Sequence, residues 1–377
     1  MKISYVHGIC VKNDAISNSI HDEIIWLDSV GRHSVRLFAY VCDWKNLPYT
    51  SVDQLRDVAF DEYFQSSELV VFHFGVFYPL FDLLPVVPFR ARRVVVFHNI
   101  TPREHVAAVH VETIDRSFKQ MANIAFADDV VCDSETNVDV LRRAGIQTPS
   151  TVLPLAINGI VGAPASKPSH IDGRIRVAFI GRFVRSKGPM ELLYALGQLL
   201  LRDAHSKVDL DMVGNLQFSE GALVEEIEAR AKQLQERFSG RVRVAIHGNA
   251  TEEMKGRILG DADIFVLPTY HEGFCVPILE ALGNGCRVVC YDNSNTPTIS
   301  GGFATLTPTG DQEALSWALQ SVIEEIGSPN WLGSGDGSYA EYSRKTQKYV
   351  KQYSPERSKE RFLRFVERCA GSSAVGK

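Results

Sequence analysis

The feature that most constrains the fold is a repeated alternation of short apolar runs with segments of helical pattern. The apolar runs cover residues 3–6, 35–41, 69–74, 94–98, 129–132 and 151–155, and then 175–180, 208–213, 242–247, 264–268 and 287–291. Strands that alternate with helices in this way form parallel sheets covered by helices on both faces. The sequence therefore predicts an α/β fold with two doubly wound domains.

A break in the alternation separates the two series. Residues 158–174 are rich in Gly, Pro and Ser, a composition that favours a linker. We expect a first domain over residues 1–160 and a second over residues 174–340. In doubly wound sheets, ligands bind outside the carboxyl ends of the strands, so the cleft between the two domains is the predicted site.

Length and composition exclude several classes of protein. With 377 residues and 45% hydrophobic content, the chain can form two full cores and is not disordered. No apolar run approaches the length of a bilayer span, and the opening residues 1–6 are too short for a secretory signal and predict a strand instead. The net charge of −5 argues against nucleic-acid binding.

The seven cysteines are scattered and form no C-x-x-C pair. Cys286 and Cys290 are too isolated from other ligands to predict a metal site. Buried free thiols of this kind fit a reducing cytoplasm, so we expect a cytoplasmic protein, at the inner face of a membrane if it contacts one.

Two carboxylates stand eight positions apart around the predicted start of a helix. A buried strand ends at Pro268, Glu272 follows it, and Pro277 suits the first helical position, where its missing N–H costs nothing. Backbone amides of residues 273–276 would face an anion there. Glu280, placed in the first turn, would reach a ribose hydroxyl, and Glu272 a sugar. The alternative is a capped helix whose Glu280 only complements the macrodipole.

Two cations stand at another strand-to-helix junction. The run 175–180 ends in Gly181-Arg182, and Lys187-Gly188-Pro189 follows, again with proline where a helix should begin. Arg182 offers a planar fork of donors and Lys187 a mobile point charge, a combination suited to a diphosphate. Either cation alone would more often be solvated surface.

In their order and spacing, these two motifs resemble those of retaining glycosyltransferases with the GT-B architecture, in particular glycosyltransferase family 4. The resemblance covers most of residues 174–310 and, more loosely, the N-terminal half. It implies two Rossmann-like domains facing across a cleft and a C-terminal helix, residues 341–370, that crosses back to the first domain. The catalytic residues that it implies are Arg182, Lys187, Glu272 and His98. The donor-binding residues that it implies are Gly181, Arg182, Lys187, Asn249, Glu272, Gly273, Phe274, Cys275, Val276 and Glu280.

The first half of the chain carries further candidates. His98 follows the apolar run 94–97, and its segment looks like the histidine-bearing loop of the family, whose side chain contacts the donor sugar or the acceptor. An isolated histidine is more often a satisfied structural group. His73 and His7 also end predicted strands, and Asp14 is a candidate cap for a helix beginning near Ala15. We assign Asp14 and His73 to acceptor binding.

Two D-x-D patterns suggest a metal site, but their positions favour solvated or capping carboxylates. Asp209 and Asp211 lie within a predicted strand, and Asp261 and Asp263 precede another. Since Arg182 and Lys187 already supply positive charge for a diphosphate, we predict a metal-independent site without a cofactor.

Two turns bear on the donor. In the family, the turn at Asn249 and Thr251 holds the base through backbone groups, so it does not distinguish UDP from GDP. Where relatives have a glycine-rich turn followed by Pro-Glu, this chain has Asn295-Thr296-Pro297-Thr298.

The segment 341–368 contains nine Lys or Arg and four Glu. A solvated helix face is the favoured interpretation, and a peripheral membrane contact is the alternative.

The predicted function is a retaining sugar transfer from a nucleoside-diphosphate sugar to a hydroxyl of a glycan or lipid-linked acceptor, in cell-surface polysaccharide synthesis. Two alternatives remain: a nucleotide-sugar epimerase of the same fold, and an inactive subunit that binds sugars or partners.

Overall fold

A computed structural model describes residues 1–12, 14–157 and 162–372. The chain divides into two compact units. Unit 1 contains residues 1–103 and 108–156 and the chain from Tyr353 onward. Unit 2 contains residues 104–107 and 157–352.

Unit 1 is built on a parallel sheet of seven strands. The seven strands are β1 (Lys2–Val6), β3 (Ser34–Ala39), β5 (Tyr49–Ser51), β6 (Leu69–Phe74), β7 (Arg92–Phe97), β8 (Asp129–Cys132) and β9 (Ser150–Val152). A separate parallel pair consists of β2 (Ile9–Cys10) and β4 (Val41–Cys42). The order across the main sheet is β5-β3-β1-β6-β7-β8-β9. All six residues of β6 are buried, as expected for a central strand of a covered parallel sheet.

The helices of unit 1 include one from the C-terminal end of the chain. They are α1 (Ala15–Val30), α2 (Leu55–Ala59), α3 (Glu62–Gln65), α4 (Val111–Gln120), α5 (Glu135–Arg143) and the C-terminal helix Pro355–Ser372, which is named α15 after its place in the chain. Phe362, Phe365 and Val366 of the C-terminal helix belong to the same buried cluster as Ile20, Ile24 and other residues of α1 and the sheet.

Unit 2 contains a parallel sheet of six strands. They are β10 (Ile175–Ile180), β11 (Val208–Gly214), β12 (Val242–Gly248), β13 (Ile264–Leu267), β14 (Arg287–Tyr291) and β15 (Ala304–Thr307), in the order β12-β11-β10-β13-β14-β15. Its helices are α6 (Ser169–Asp172), α7 (Pro189–Arg202), α8 (Gly221–Arg237), α9 (Glu252–Asp261), α10 (Val276–Gly283), α11 (Thr296–Ile299), α12 (Gln312–Ile326), α13 (Pro329–Leu332) and α14 (Tyr339–Val350).

The seven-stranded sheet and the six-stranded sheet each have one point where the strand order reverses. In unit 1 it lies between β1 and β6, and in unit 2 between β10 and β13. The loops that follow these strands begin at the same edge of their sheet, which is where doubly wound folds bind ligands. In unit 2 those two loops carry the two motifs.

The structure corrects the predicted C-terminal helix of residues 341–370. A short turn at Lys351–Tyr353 divides it, so α14 belongs to unit 2 and only the chain from Tyr353 belongs to unit 1. Pro355 cannot continue a preceding helix but suits the start of the next one, which explains the break.

The predicted linker, residues 158–174, is only partly described. Residues 158–161 and the predicted domain boundary at residue 160 lie outside the described residues. The rest of the segment contains the one-turn helix α6, and Lys167 within it is buried. Its Nζ donates to carbonyls at the ends of α9 and α10, including Gly260 at 2.9 Å and Asn284 at 2.8 Å.

No helix in these described ranges is both long enough and apolar enough to cross a bilayer.

Candidate functional site

The loop after β10 carries the two predicted cations. Arg182 is exposed, and no described residue pairs with its side chain. Arg185–Lys187 forms a short 3-10 turn, Gly188 adopts a left-handed conformation with φ of 67°, and Pro189 is the first residue of α7. A Cβ at Gly188 would lie 2.2 Å from the carbonyl oxygen of Pro268, so this position needs glycine both for its φ and for this approach.

The loop after β10 is bonded directly to the loop after β13. The carbonyl of Ser186 accepts hydrogen bonds from Tyr270 N at 2.8 Å and from Thr269 Oγ1 at 3.1 Å. The two motifs therefore form one surface at the point of strand reversal.

An ion pair joins the two motifs. Lys187 Nζ lies 2.5 Å from Glu272 Oε1, and the two side chains are 18% and 9% exposed. No described residue bonds the second carboxylate oxygen of Glu272. Glu272 thus pairs with the lysine that was predicted to bind a diphosphate.

The start of α10 differs in detail from the prediction. Val276 is the first helical residue and Pro277 the second, and the preceding Cys275 has a φ of 79°. Few residues other than glycine adopt this conformation, and such strain concentrates at functional sites. Asn295 Nδ2 donates to the carbonyl of Phe274 at 2.9 Å and so braces the loop.

Glu280 lies beyond the first turn of α10, as its fifth residue, and pairs with a lysine that the sequence analysis did not identify. Lys255 Nζ on α9 is 2.9 Å from Glu280 Oε1 and 2.7 Å from Glu252 Oε2. Burial raises the pKa of Glu280, and Lys255 opposes this only in part. As with Glu272, one oxygen is held by a lysine and no described residue bonds the other.

The turn after β12 has the form that the sequence predicts. Asn249 has a φ of 55°, is exposed, and accepts a hydrogen bond from Leu216 N at 3.1 Å. Thr251 caps α9 by accepting from Met254 N. Lys255 follows one turn later, so this loop leads directly to the lysine that pairs with Glu280.

His271 is a further polar group beside Glu272. Its Nδ1 lies 3.4 Å from Ser294 Oγ, while its Nε2 is buried and has no partner among the described residues. Burial lowers the pKa of His271 to about 4, so the ring is neutral near pH 7.

Three carboxylates of the D-x-D patterns bond cations or backbone amides. Asp209 pairs with Arg174 at 2.6 Å, and Asp211 accepts from His247 at 2.7 Å. Asp263 is buried and accepts from Arg176 N at 2.7 Å. Within the part of the chain that the structure describes, no three His, Cys, Asp or Glu side chains gather as a metal site requires.

In unit 1, His98 and His73 lie inside the protein. The His98 side chain is 6% exposed, with Nδ1 2.8 Å from Asp133 Oδ2 and Nε2 2.9 Å from His73 Nδ1. The His73 side chain is 1% exposed, and its Nε2 is 3.2 Å from Glu23 Oε2. Direct acceptor binding by the His73 ring is therefore not available in this structure, because both its nitrogens have partners within unit 1.

Asp14 is the N-cap of α1, as predicted, and accepts from Ser17 N at 2.9 Å. His7 is buried, and its Nδ1 is 3.1 Å from the carbonyl of His73. His7, which follows β1, therefore contacts the backbone of β6 at His73.

Four contacts were not predicted from the sequence: those of Lys255, Asp133 and Glu23, and that of Asn295, which was named only as part of a turn. Position gives a usable signal for Asp133, which directly follows β8 at the ligand-binding edge of a parallel sheet. The other three lie within or before helices, and only the folded chain shows what they contact.

Known proteins are similar to parts of this chain. Residues 165–334 match the family model described as "Glycosyl transferases group 1". Over 143 residues, 38% of this chain and 33% of the relative, it is 31% identical to a D-inositol 3-phosphate glycosyltransferase of Corynebacterium jeikeium. Over 153 residues, 41% of this chain and 37% of the relative, it is 26% identical to O-antigen chain mannosyltransferase B of Escherichia coli. The matches thus span about a third of the length of these curated relatives.

Solved structures resemble the whole chain. Sucrose-phosphate synthase from Thermosynechococcus elongatus aligns with a TM-score of 0.74 and 17% identity over 98% of this chain and 99% of that one. An α,α-trehalose 6-phosphate synthase from Burkholderia multivorans aligns with a TM-score of 0.70 and 11% identity over 99% and 98%. These likenesses confirm the predicted α/β fold with parallel sheets, similar to GT-B glycosyltransferases. The family match and the two curated relatives support a glycosyltransferase.

Proposed function

We propose that this chain is a retaining glycosyltransferase of family 4 that uses a UDP- or GDP-sugar and glycosylates a hydroxyl of a glycan or lipid-linked acceptor. Cell-surface polysaccharide synthesis, at the cytoplasmic side of a membrane, is the proposed setting. The main support is the pair of Lys–Glu contacts in unit 2, Lys187 with Glu272 at 2.5 Å and Lys255 with Glu280 at 2.9 Å. Each glutamate keeps one oxygen without a described partner, and hydroxyls of a sugar and a ribose are the proposed donors to those oxygens.

In this proposal the diphosphate binds between Arg182 and Lys187. Arg182 is exposed and unpaired within the described chain, whereas Lys187 shares its charge with Glu272. An arriving diphosphate would replace Glu272 as the main partner of Lys187, and Glu272 would then accept from a sugar hydroxyl. These cations supply the charge that a divalent ion supplies elsewhere, so the proposed reaction is metal-independent.

The proposed reaction is a front-face displacement. The bond between the sugar's anomeric carbon and the diphosphate oxygen breaks, and its electron pair goes to the diphosphate. The acceptor oxygen bonds to the anomeric carbon on the same face, and its proton passes to the departing diphosphate. Arg182 and Lys187 stabilise the charge that develops there, and the product keeps the anomeric configuration of the donor.

A thermal-shift screen of nucleotide sugars, followed by transfer assays with the compounds that bind, tests this function. A donor at a hundred times its dissociation constant stabilises the protein by about 2.7 kcal/mol. We expect the stabilisation to be lost in Arg182→Ala and kept in Arg344→Ala, which removes an exposed arginine on α14. Equal stabilisation of both variants would contradict a diphosphate site at Arg182. A donor that changes its sugar without any acceptor would instead favour the epimerase.

A further inference from the structure

Unit 1 contains a chain of polar side chains that contact one another in series. His98 Nδ1 is 2.8 Å from Asp133 Oδ2, and His98 Nε2 is 2.9 Å from His73 Nδ1. His73 Nε2 is 3.2 Å from Glu23 Oε2, which also accepts from Tyr5 OH at 3.0 Å. The chain therefore connects β8, β7, β6, α1 and β1.

These side chains are almost completely removed from water. The side chains of His98 and Asp133 are 6% and 3% exposed, and those of His73 and Glu23 are 1% and 8% exposed. A buried polar atom that lacks a partner is unfavourable, since water cannot replace the missing bond. Each contact in the series therefore needs one hydrogen between its two heavy atoms.

With both carboxylates ionised, the two rings must together carry three hydrogens and one positive charge. His73 donates from Nε2 to Glu23 and His98 donates from Nδ1 to Asp133, because a carboxylate only accepts. The third hydrogen lies between the rings, on His98 Nε2 or on His73 Nδ1. In the first case His98 is the doubly protonated, charged ring, and in the second case it is His73.

The contact distances and the surrounding charges place that hydrogen on His98. Its contact with Asp133, at 2.8 Å, is shorter than that of His73 with Glu23, at 3.2 Å, as expected for the charged ring. Burial opposes the charged form of His98, but Asp133, Glu23 and Asp14 outweigh it and raise its pKa. Burial lowers the pKa of His73 even though Glu23 acts in the opposite direction. His7 faces the same cluster, and burial lowers its pKa to about 3, so it is neutral.

The backbone carbonyl of His73 accepts hydrogen bonds from outside the series and does not change the count of hydrogens on the two rings. It accepts from Tyr78 OH at 2.8 Å and lies 3.1 Å from His7 Nδ1. Because a carbonyl only accepts, neutral His7 must carry its hydrogen on Nδ1. Two donors thus fix the backbone of β6 beside the ring of His73.

We infer that Asp133, His73 and Glu23 are positioning residues that hold His98 as a doubly protonated, fixed cation at the carboxyl end of β7. The contacts of unit 1 require one positive charge on the pair of rings, and the surroundings of His98 place it there. Its effect on turnover rests on the proposed glycosyl transfer, for which the sequence predicts His98 as a catalytic residue. Loss of the His98 charge is then expected to slow transfer.

Replacing Glu23 by glutamine should reverse the hydrogens of the whole series. The glutamine amide can donate to His73 Nε2, His73 Nδ1 can then donate to His98 Nε2, and His98 still donates from Nδ1 to Asp133. Every contact keeps its hydrogen, but His98 becomes neutral. Glu23→Gln is therefore a nearly isosteric change that should remove the charge of His98, although Glu23 reaches His98 only through His73.

NMR of the protein with ¹⁵N-labelled histidine tests the charge state, with His98→Gln used to assign the signal. We expect His98 to carry hydrogens on both nitrogens at pH 6 and to lose one with a midpoint above the ordinary 6.5. Glu23→Gln and Asp133→Asn should each lower that midpoint by about one pH unit or more. Asp28→Asn, an exposed carboxylate on the same helix as Glu23, should leave it unchanged. A neutral His98 at pH 6, or the same midpoint in Glu23→Gln and Asp28→Asn, would overturn the inference.

The pH dependence of kcat provides the second readout. In the parent enzyme kcat should fall as pH rises through the His98 midpoint, and Glu23→Gln should shift that fall to lower pH by the amount that NMR measures. A purely structural role of Glu23 would lower kcat or the melting temperature without moving the profile, and would overturn the positioning role. If no sugar transfer is found for any donor, the proposed function fails, while the NMR result still decides the charge state of His98.

Discussion

Lys187 Nζ lies 2.5 Å from Glu272 Oε1, so the cation motif after β10 and the glutamate motif after β13 are joined by an ion pair. Both side chains are largely removed from water, at 18% and 9% exposed. Arg182, five residues before Lys187, is exposed and has no described partner. The two cations, which look equivalent in the sequence, therefore differ in their contacts: Lys187 forms an ion pair, and Arg182 has no described partner.

This difference predicts that two variants will match in turnover and differ in stability. Lys187→Met should lower the free energy of unfolding by about 2 kcal/mol, because Glu272 is left as a nearly buried, unpaired carboxylate. Arg182→Ala should change stability by about 0.5 kcal/mol at most. Both should slow transfer about a hundredfold, since each removes a preorganised partner of the diphosphate. Urea unfolding and initial-rate assays measure the two effects.

Lys345→Met is the control for the stability of Lys187→Met. Lys345 pairs with Glu341 on α14 at 2.8 Å but is 58% exposed, so its loss should cost little. If Lys187→Met is as stable as this control, the pair with Glu272 does not stabilise the folded protein.

The two glutamates should separate binding from turnover. Glu280→Gln should weaken binding of the nucleoside diphosphate, because Glu280 is the proposed partner of the ribose. Glu272→Gln should mainly lower kcat, because Glu272 is the proposed partner of the transferred sugar. Calorimetric titration with the nucleoside diphosphate and initial-rate assays compare them, with exposed Glu228→Gln on α8 as control. Equal loss of nucleotide affinity in both variants would show that the two roles are wrongly assigned.

Nucleotide binding should not need a divalent ion. Arg182 and Lys187 supply the positive charge, and three of the four D-x-D carboxylates, Asp209, Asp211 and Asp263, bond arginine, histidine or backbone groups of unit 2. UDP or GDP should therefore bind with the same affinity in excess chelator and in Mg²⁺. Binding by calorimetry only when Mg²⁺ or Mn²⁺ is added would refute the metal-independent site.

His271 should make the protein sensitive to acid. Its folded pKa of about 4 lies below the ordinary 6.5, so below pH 6.5 the unfolded chain takes up a proton that the folded protein does not. The contribution of the neutral ring to the free energy of unfolding is thus fully present above pH 6.5 and is lost as pH falls towards 4. Between pH 7 and pH 4.5, the free energy of unfolding should therefore fall by about 2 kcal/mol less in His271→Gln than in the parent protein.

Urea unfolding at both pH values measures this effect of His271. Exposed His205→Gln is the matched control and should retain the full loss of the parent protein. An unchanged loss in His271→Gln would show that the ring is not held neutral.

The alternation of apolar runs was sufficient to predict both parallel sheets, because buried parallel strands must be apolar along their whole length. The strands that were missed, β2, β4, β5 and β15, have two to four residues. Each of the four pairs with only one described neighbour, at the edge of a sheet or in the two-stranded sheet, as β5 does with β3. Runs this short carry no clear period of two. The helix at residues 341–370 was predicted as one piece because the polar pattern continues across the turn before Pro355.

The motif residues could be located from the sequence, but their partners could not. Lys187 and Glu272 are 85 positions apart, and Lys255 and Glu280 are 25 apart. Their pairing depends on the neighbouring positions of β10 and β13 and on the packing of α9, which no local pattern encodes. His98 was predicted to contact a ligand through its ring, yet both ring nitrogens are bonded to Asp133 and His73.

Proton NMR of the freshly formed product measures the stereochemistry at the centre of this account. With a donor that binds in the thermal-shift screen and excess chelator present, we predict that the new glycosidic bond has the anomeric configuration of the donor, as front-face displacement at the Arg182–Lys187 diphosphate site requires. A product with the inverted configuration would contradict the mechanism.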